Sequence, residues 1–269
     1  MIGAIIGDII GSPYEFNHNN IKTTKFPLFS KRSYFTDDTV MTLAVAEALM
    51  NGYMDEEATE EELIACMKYY GHKYPDAGYG GMFRQWLCQK NPEPYYSFGN
   101  GSAMRVAPVA WLYDDLDTVE RFAAITAKVT HDHPEGIKGA QATAAAIYLT
   151  RIGLSKQSVR EYISDKYGYN FDRTCDEIRP TYHHVESCQE TVPEALTAFF
   201  EGNNFEAVIR LAVSLGGDSD TLTAIAASVA EAAYSIPSKI WFEALCYLDD
   251  DLLDIVYRFN RFIIDCRDA

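Results

Sequence analysis

Two short acidic sequences, one near each end of the chain, carry the residue types that bind hard metal ions. They are Thr36–Thr39, with the sequence TDDT, and Asp218–Thr221, with the sequence DSDT. Carboxylate and hydroxyl oxygens, with neither cysteine nor histidine inside the two motifs, favour Mg²⁺ or Mn²⁺ over zinc. Each motif stands directly before an apolar stretch with helical character. Two such motifs far apart in sequence predict a folded site at which both ends of the chain converge on metal.

Helix capping is the alternative explanation for these motifs. Asp, Ser and Thr are preferred at the N-cap, and acidic residues suit the positive end of the helix dipole. A cap needs one oxygen, whereas each motif supplies several, so capping alone explains the pattern less well. A metal-assisted enzyme is therefore the first hypothesis.

The glycine-rich turn Gly99–Ser102 is a candidate for binding an anion. Glycines let the backbone turn tightly and present its amides outward, although a plain turn is the alternative. It is neither a Walker loop nor a dinucleotide fingerprint, because no strand precedes it and the lysine is missing. We expect His131, at a junction between two helices, to be a polar contact in the wall of a ligand site. His183 and His184 are interpreted as surface residues, with metal binding as the lesser alternative.

The N-terminal segment combines closely spaced glycines with two acids. Gly3, Gly7 and Gly11 share one helix face and would let that helix pack tightly against a partner. For Asp8, a structural role tying the helix to its neighbours stands beside a catalytic one. Glu15 follows a break at a proline, so we expect its carboxylate to point into a cleft.

Helical patterns dominate the chain and predict an all-α protein with one domain over residues 1–269. Helices are predicted over 39–50 and 221–233, the second composed almost wholly of small residues and therefore central. Thr59 and Glu62 have the spacing of a capping box. Period-two strand patterns are absent from the sequence, and three polar segments, 17–34, 91–105 and 172–191, are expected to be functional loops.

Composition narrows the partners and the location. The formal net charge of −16 argues against nucleic acid and anionic membranes as partners. The sequence shows neither a signal-peptide pattern nor an apolar run long enough to span a bilayer. We therefore expect a cytoplasmic monomer whose six cysteines are free thiols.

Taken together, the motifs resemble one family, the ADP-ribosylglycohydrolases. The resemblance lies in Gly7-Asp8 with Glu15, in FTDDT ending at Thr39, in GNGSAMR ending at Arg105, in Thr130-His131, and in GGDSDT ending at Thr221. These motifs occur in the family's order and span most of the chain. The resemblance implies an all-α fold with two Mg²⁺ ions, or Mn²⁺ as the alternative, at the base of an ADP-ribose cleft.

The resemblance also implies roles for individual residues. The implied metal ligands are Thr36, Asp37, Asp38, Asp218, Asp220 and Thr221. The implied substrate contacts, to the diphosphate and ribose, are Ser97, Phe98, Gly99, Asn100, Gly101, Ser102 and His131. The implied catalytic residues are Glu15, Asp37, Asp38 and Asp218. Either Glu15 or an aspartate of the metal shell would act as the general acid or base.

The expected reaction is hydrolysis of the glycosidic bond between ADP-ribose and an acceptor. The expected substrate is an ADP-ribosylated protein or a small-molecule ADP-ribose conjugate. ADP-ribosyl-arginine is the first choice, and ADP-ribosyl-serine or a small conjugate is the second. Two other classes stay open. One is a non-catalytic relative that binds ADP-ribose or is structural, and the other is a phosphoesterase acting on the diphosphate, which would be expected to use histidine ligands.

Overall fold

Helices form the regular structure of the chain, as predicted. The computed structural model describes residues 1–268, along which fifteen α-helices are joined by turns and loops. In chain order they are α1 (Ile2–Gly11), α2 (Asp37–Asn51), α3 (Glu56–Lys73), α4 (Gly81–Cys88), α5 (Gly101–Met104), α6 (Ala107–Leu112), α7 (Leu116–Lys128), α8 (Pro134–Arg151), α9 (Lys156–Tyr167), α10 (Cys175–Ile178), α11 (Cys188–Glu201), α12 (Phe205–Leu215), α13 (Ser219–Ala233), α14 (Ser238–Leu245) and α15 (Asp250–Asp268). Within the described range, β pairing is limited to one isolated bridge between Gly99 and Ser187.

Helix α13 lies at the centre of the packing, and α1 packs directly against it. A Cβ atom at Gly7 would lie less than 3.0 Å from the backbone of Thr223, and Gly3 and Gly11 approach α13 equally closely. Only glycine allows two helix backbones to come this near. The prediction of close packing from the spacing of these glycines is confirmed.

This close contact places acidic residues of distant segments side by side. Asp8 is fully buried in the middle of α1, where its carboxylate accepts hydrogen bonds from the amides and hydroxyls of Thr36 and Thr39. Asp8 therefore fixes the start of α2 against α1. This contact supports the structural role that the sequence left open for Asp8.

The predicted capping box at Thr59 is wrong. The α3 helix begins at Glu56, one turn earlier, and its N-cap is Asp55, whose side chain accepts from the amide of Ala58. The hydroxyl of Thr59 is buried and donates to the carbonyl of Gly52 at 2.7 Å. Thr59 therefore lies inside α3 and ties the helix to the preceding turn, and Asp55 provides the cap.

Two of the three predicted loops contain short helices. α5 lies inside segment 91–105, while α10 and the beginning of α11 lie inside segment 172–191. Segment 17–34 contains neither an α-helix nor a strand. Among residues 1–268, no helix has the length and apolar character needed to cross a membrane.

Candidate active site

The two acidic motifs meet at the floor of a cleft. The hydroxyl of Thr221 donates to Oδ2 of Asp38 at 3.0 Å, which joins the start of α13 to the start of α2. One carboxylate oxygen from each of Glu15, Asp218 and Asp220 lies within 4.8 Å of the others. These contacts bring together carboxylates from three separate segments of the chain.

Local sequence explains how the first motif is held. Thr36 is the N-cap of α2, and its hydroxyl accepts from the amide of Asp38 while donating to Asp8. The amide of Asp37 donates to the carbonyl of Ala77 at 2.7 Å. The capping role and the clustering of acids therefore coexist, because the cap uses Thr36 and leaves the carboxylates of Asp37 and Asp38 directed to the cleft.

The second motif follows a turn that only glycines adopt readily. Gly216 and Gly217 have φ angles of +75° and +78°, and Asp218 then becomes the N-cap residue of α13. The side-chain amide of Asn100 donates to Oδ2 of Asp218 at 2.7 Å and to Thr191 at 3.2 Å. Asn100 thus orients Asp218, and its predicted contact with the diphosphate stays a prediction.

The donor set fits a hard divalent cation. Oδ1 of Asp38 and Oδ1 of Asp220 are buried and have no hydrogen-bond partner among the described residues. A buried carboxylate oxygen without a partner is costly, and a cation removes that cost. The cluster offers only carboxylate and hydroxyl oxygens, which is the ligand chemistry of Mg²⁺ and Mn²⁺.

Mutual proximity and burial make the acids hard to ionise together. Burial first, and then the charges of Asp8 and Asp218, raises the pKa of Asp37 to about 8. Burial and the charge of Asp218 raise the pKa of Glu15 to about 7. Burial also raises the pKa of Asp220 well above its ordinary value. Without bound protons or cations, the carboxylates would repel one another strongly, because their buried surroundings have a low dielectric constant.

Above the acids lies a cleft of about 730 Å³. The acidic cluster and a glycine- and aromatic-rich surface both line it. The predicted site residues that line it are Glu15, Asp37, Asp38, Ser97, Phe98, Gly99, Asn100, Gly101, His131, Asp218, Asp220 and Thr221. Thr36 and Ser102 are absent from this lining; the hydroxyl of Ser102 donates to the carbonyl of Gly136 at 2.7 Å.

The glycine-rich turn uses some of its amides within the protein. The amide of Gly99 donates to the hydroxyl of Ser97 at 3.0 Å, and the amide of Asn100 donates to the carbonyl of Glu186 at 2.7 Å. The anion-binding turn therefore has fewer free backbone amides than the sequence indicated. The bond to Glu186 also fastens this turn to the segment that precedes α11.

His131 is buried beneath the glycine-rich turn. Its Nδ1 atom lies 2.7 Å from the hydroxyl of Thr130, which also accepts from the guanidinium of Arg105. Its Nε2 atom faces the turn beside Gly99 and Gly101. Burial, with the nearby charge of Arg105, lowers the pKa of His131 well below its ordinary value. A neutral imidazole at the cleft wall suits a hydrogen bond to a polar ligand.

Several residues of the cleft were missed by the sequence analysis. His184 is half-buried and lines the cleft beside Glu186 and Phe16, with 5.3 Å between the ring centroids of His184 and Phe16. The interpretation as a surface residue holds for His183, which is exposed, and is wrong for His184. The available signal was the position of His184 in a long polar loop. Tyr95, whose ring lies 5.7 Å from that of His131, was also missed.

The helical fold thus places a cluster of oxygen donors, which could hold a metal ion, below a cleft large enough for a ligand. The sequence profile of the ADP-ribosylglycohydrolase family matches residues 1–265, and the chain belongs to this family. The predictions of the family, of the all-α fold and of a glycohydrolase enzyme are confirmed.

Individual relatives agree with this assignment. The chain is 28% identical over 316 residues to the human ADP-ribosylhydrolase ARH3, with 88% of this chain and 84% of the relative covered. It is 27% identical over 266 residues to the ADP-ribosylarginine hydrolase Tri1 of Pseudomonas putida, with 88% and 70% covered. A solved structure titled "ADP-ribosylglycohydrolase-related protein complex" has the same fold, with a TM-score of 0.72 and 23% identity over 97% of this chain and 95% of that one.

Proposed function

We propose that the protein is a metal-dependent hydrolase that cleaves the glycosidic bond between ADP-ribose and an acceptor, with ADP-ribosyl-arginine as the preferred substrate. One observation carries this proposal. Buried carboxylates from distant segments converge below a ligand-sized cleft, and two of their oxygens have no hydrogen-bond partner in the described part of the chain. An acidic protein of net charge −16 needs such a cationic centre to hold an anionic nucleotide.

The residues that would hold two Mg²⁺ ions, or Mn²⁺, are those of the two motifs. They are Thr36, Asp37, Asp38, Asp218, Asp220 and Thr221, and the cluster of Glu15, Asp218 and Asp220 supports binding on that side. When bound, the cations would orient the ribose hydroxyls, activate the attacking water and neutralise charge. Thr36 is the least favoured member, because its hydroxyl already makes two hydrogen bonds.

The protein's own residues would then position the nucleotide. Phe98 is half-exposed at the rim and presents an aromatic face, and the neutral imidazole of His131 offers a hydrogen bond to the ribose beside the glycine-rich turn. Ser97 and Gly101 line the same wall. Binding on this wall would fix the scissile bond over the acids, and positioning of this kind accounts for much of the rate of glycoside hydrolysis.

Glu15 is the residue best placed to move a proton. Its carboxylate lies beside Asp218 and Asp220 but is only half-buried, so it can reach both the cleft and the acidic cluster. As a base it would take a proton from the attacking water, and as an acid it would return one to the leaving group. Asp37, Asp38 and Asp218 would assist by keeping their carboxylates, and the cations that these would bind, beside the reacting sugar.

The mouth of the cleft favours a cationic acceptor. Glu186, whose Oε1 lies 3.1 Å from Nε2 of His184, places a carboxylate there, and Phe16 exposes an aromatic ring. Carboxylates and an aromatic face are the groups that bind a guanidinium. A neutral serine acceptor would gain less from these groups, which supports arginine as the first choice.

Calorimetry with free ADP-ribose, first with Mg²⁺ and then after EDTA, tests the site. We expect binding with metal and its loss after chelation. ADP-ribosyl-arginine, ADP-ribosyl-serine and a small ADP-ribose conjugate then identify the acceptor, with free ADP-ribose as the expected product. Release of AMP would instead indicate a phosphoesterase, and absence of binding in both conditions would indicate a non-catalytic relative.

We also infer that the chain works as one domain over residues 1–269 and as a monomer. All the major helices contribute to one connected hydrophobic core, which supports the single domain. Sedimentation of the purified protein tests the monomer, with a mass near 30.2 kDa expected.

A further inference from the structure

Asn20 connects two active-site segments through a single side chain. Its Oδ1 atom accepts from the amide of Gly217 at 2.7 Å, and its Nδ2 atom donates to the carbonyl of the same residue at 3.0 Å. Nδ2 also donates to the carbonyls of Tyr14 at 2.7 Å and Phe16 at 2.9 Å. The residues bonded in this way flank Glu15 on both sides and immediately precede Asp218.

The backbone around Glu15 needs this support. Phe16 has a φ angle of +63°, a left-handed conformation that is costly for a bulky residue. Its carbonyl accepts from the backbone amides of Asn19 and Asn20 as well as from the Asn20 side chain. Such a conformation persists when several bonds hold it, and the Asn20 side chain supplies one of three here.

Neighbouring residues strengthen the same connection. The Asn17 side chain accepts from the backbone amide of His184 at 2.9 Å. The ammonium group of Lys22 donates to the carbonyls of Leu215 at 2.5 Å and Tyr182 at 2.7 Å. The segment 17–22 therefore holds three parts of the site together: the turn at Glu15, the loop that carries His184, and the turn before Asp218.

We propose that Asn20 is a positioning residue that fixes Glu15 relative to Asp218 and so sets the affinity of the acidic cluster for divalent cations. The argument is geometric. The ligand atoms of these two acids lie close together only if the turn at Glu15 and the Gly216–Gly217 turn keep their present separation. The Asn20 side chain joins both turns directly, and the hydroxyl of Ser219 adds one further bond, to the carbonyl of Tyr14 at 3.1 Å. This inference rests on the metal centre proposed above.

Calorimetric titration with Mg²⁺ alone tests the proposal on the full chain. We expect Asn20→Ala to raise the Kd for Mg²⁺ about tenfold or more, as loss of an outer-shell contact does at other metal sites. ADP-ribose affinity at saturating Mg²⁺ should stay within about twofold, because the Asn20 side chain bonds residues next to Glu15 and Asp218 and makes no hydrogen bond to the glycine-rich turn. If the role of Asn20 were merely structural, Asn20→Ala would lower the melting temperature without weakening Mg²⁺ binding more than ADP-ribose binding.

Asn19→Ala is the matched control. Asn19 is the adjacent asparagine, and its side chain makes no hydrogen bond with the described residues. The Asn19→Ala variant should bind Mg²⁺ like the wild type. Equal Mg²⁺ affinity in the Asn20→Ala and Asn19→Ala variants would overturn the positioning role while leaving the metal centre intact. A wild-type protein that does not bind Mg²⁺ would overturn both.

Hydrogen exchange in the wild-type protein is a second test of the proposal, which does not depend on whether the Asn20→Ala variant folds. The backbone amides of Gly217 and of the residues around Glu15 should gain protection together as Mg²⁺ is added, because Asn20 links them. Protection of Gly217 without any change in residues 14–20 would contradict the proposal.

Discussion

Thr221 donates its hydroxyl hydrogen to Asp38 at 3.0 Å, although 183 residues separate them in sequence. This bond joins the first turns of two helices whose positive ends both face the acidic cluster. Helix dipoles favour negative charge at these positions, but burial and mutual repulsion oppose it. Because burial and mutual repulsion outweigh the helix dipoles, the acidic cluster requires protons or cations to neutralise it.

Replacing Asp218 should remove the metal centre without unfolding the protein. Asp218 belongs to the cluster with Glu15 and Asp220 and receives a hydrogen bond from Asn100. Asp218→Ala should lower Mg²⁺ affinity by more than about 100-fold, because loss of an outer-shell partner alone costs about 10- to 100-fold. Calorimetry measures the affinity, and far-UV circular dichroism should keep its helical form. Mg²⁺ binding equal to that of the wild type would remove Asp218 from the ligand set.

The acidic motifs and the central helix could be predicted because local sequence encodes them. The TDDT and DSDT motifs combine helix-start residues with more oxygens than a cap uses, and the glycines of α1 repeat on one face. Both patterns depend on residues within one or two turns of each other. We could therefore assign Asp37, Asp38 and Asp220 to one site from the sequence, on the single assumption that the two helix starts converge.

The roles of Asn20, Asn100 and His184 could not be predicted from the sequence. Each depends on a contact across a long stretch of chain: Asn20 reaches Gly217, Asn100 reaches Asp218, and His184 approaches Phe16. A polar residue in a loop looks the same in sequence whether it faces solvent or another loop. These contacts arise only in the tertiary fold, which brings the loops together.

A methyl group on Gly7 should strongly destabilise the protein. The Cβ atom of Gly7→Ala would meet the backbone of Thr223 at less than 3.0 Å, and a helix backbone cannot move aside as a flexible side chain can. We expect the free energy of unfolding to fall by about 3 kcal/mol or more, at the upper end of overpacking effects. Urea denaturation measures this. Gly80→Ala, with open space around its Cβ atom, is the control and should unfold like the wild type.

Replacing His131 should weaken nucleotide binding and spare metal binding. The Nε2 atom of His131 faces the glycine-rich turn, and His131 makes no contact with the acidic cluster among the hydrogen bonds of its ring. His131→Ala should raise the Kd for ADP-ribose about tenfold, the value of one hydrogen bond at a buried site, with Mg²⁺ affinity unchanged. Calorimetry measures both affinities, and His72→Ala, an exposed position on α3, is the control. ADP-ribose affinity equal to that of the wild type would exclude His131 from the ligand wall.

The metal-free protein should lose stability as the pH rises from about 4 to 8. Burial is the main cause that raises the pKa of Asp8 to about 6, of Glu15 to about 7 and of Asp37 to about 8. The folded protein therefore keeps protons that the unfolded chain releases above about pH 4. Stability from these protonated acids is complete below that pH and is lost as the pH passes through the raised values.

Thermal unfolding in EDTA tests this pH dependence. Between about pH 5 and pH 8 we expect Tm to fall by about 5 °C or more, and Asp37→Asn to reduce that fall because its side chain no longer ionises. Asp115→Asn is the control, since hydrogen bonds from Thr118 lower the pKa of Asp115 and its titration is complete below pH 5. Saturating Mg²⁺ should reverse the trend, because cations bind the deprotonated acids and their stabilising effect grows with pH. A Tm in EDTA that is flat or rises over this interval would show that the acids are already ionised in the folded metal-free protein.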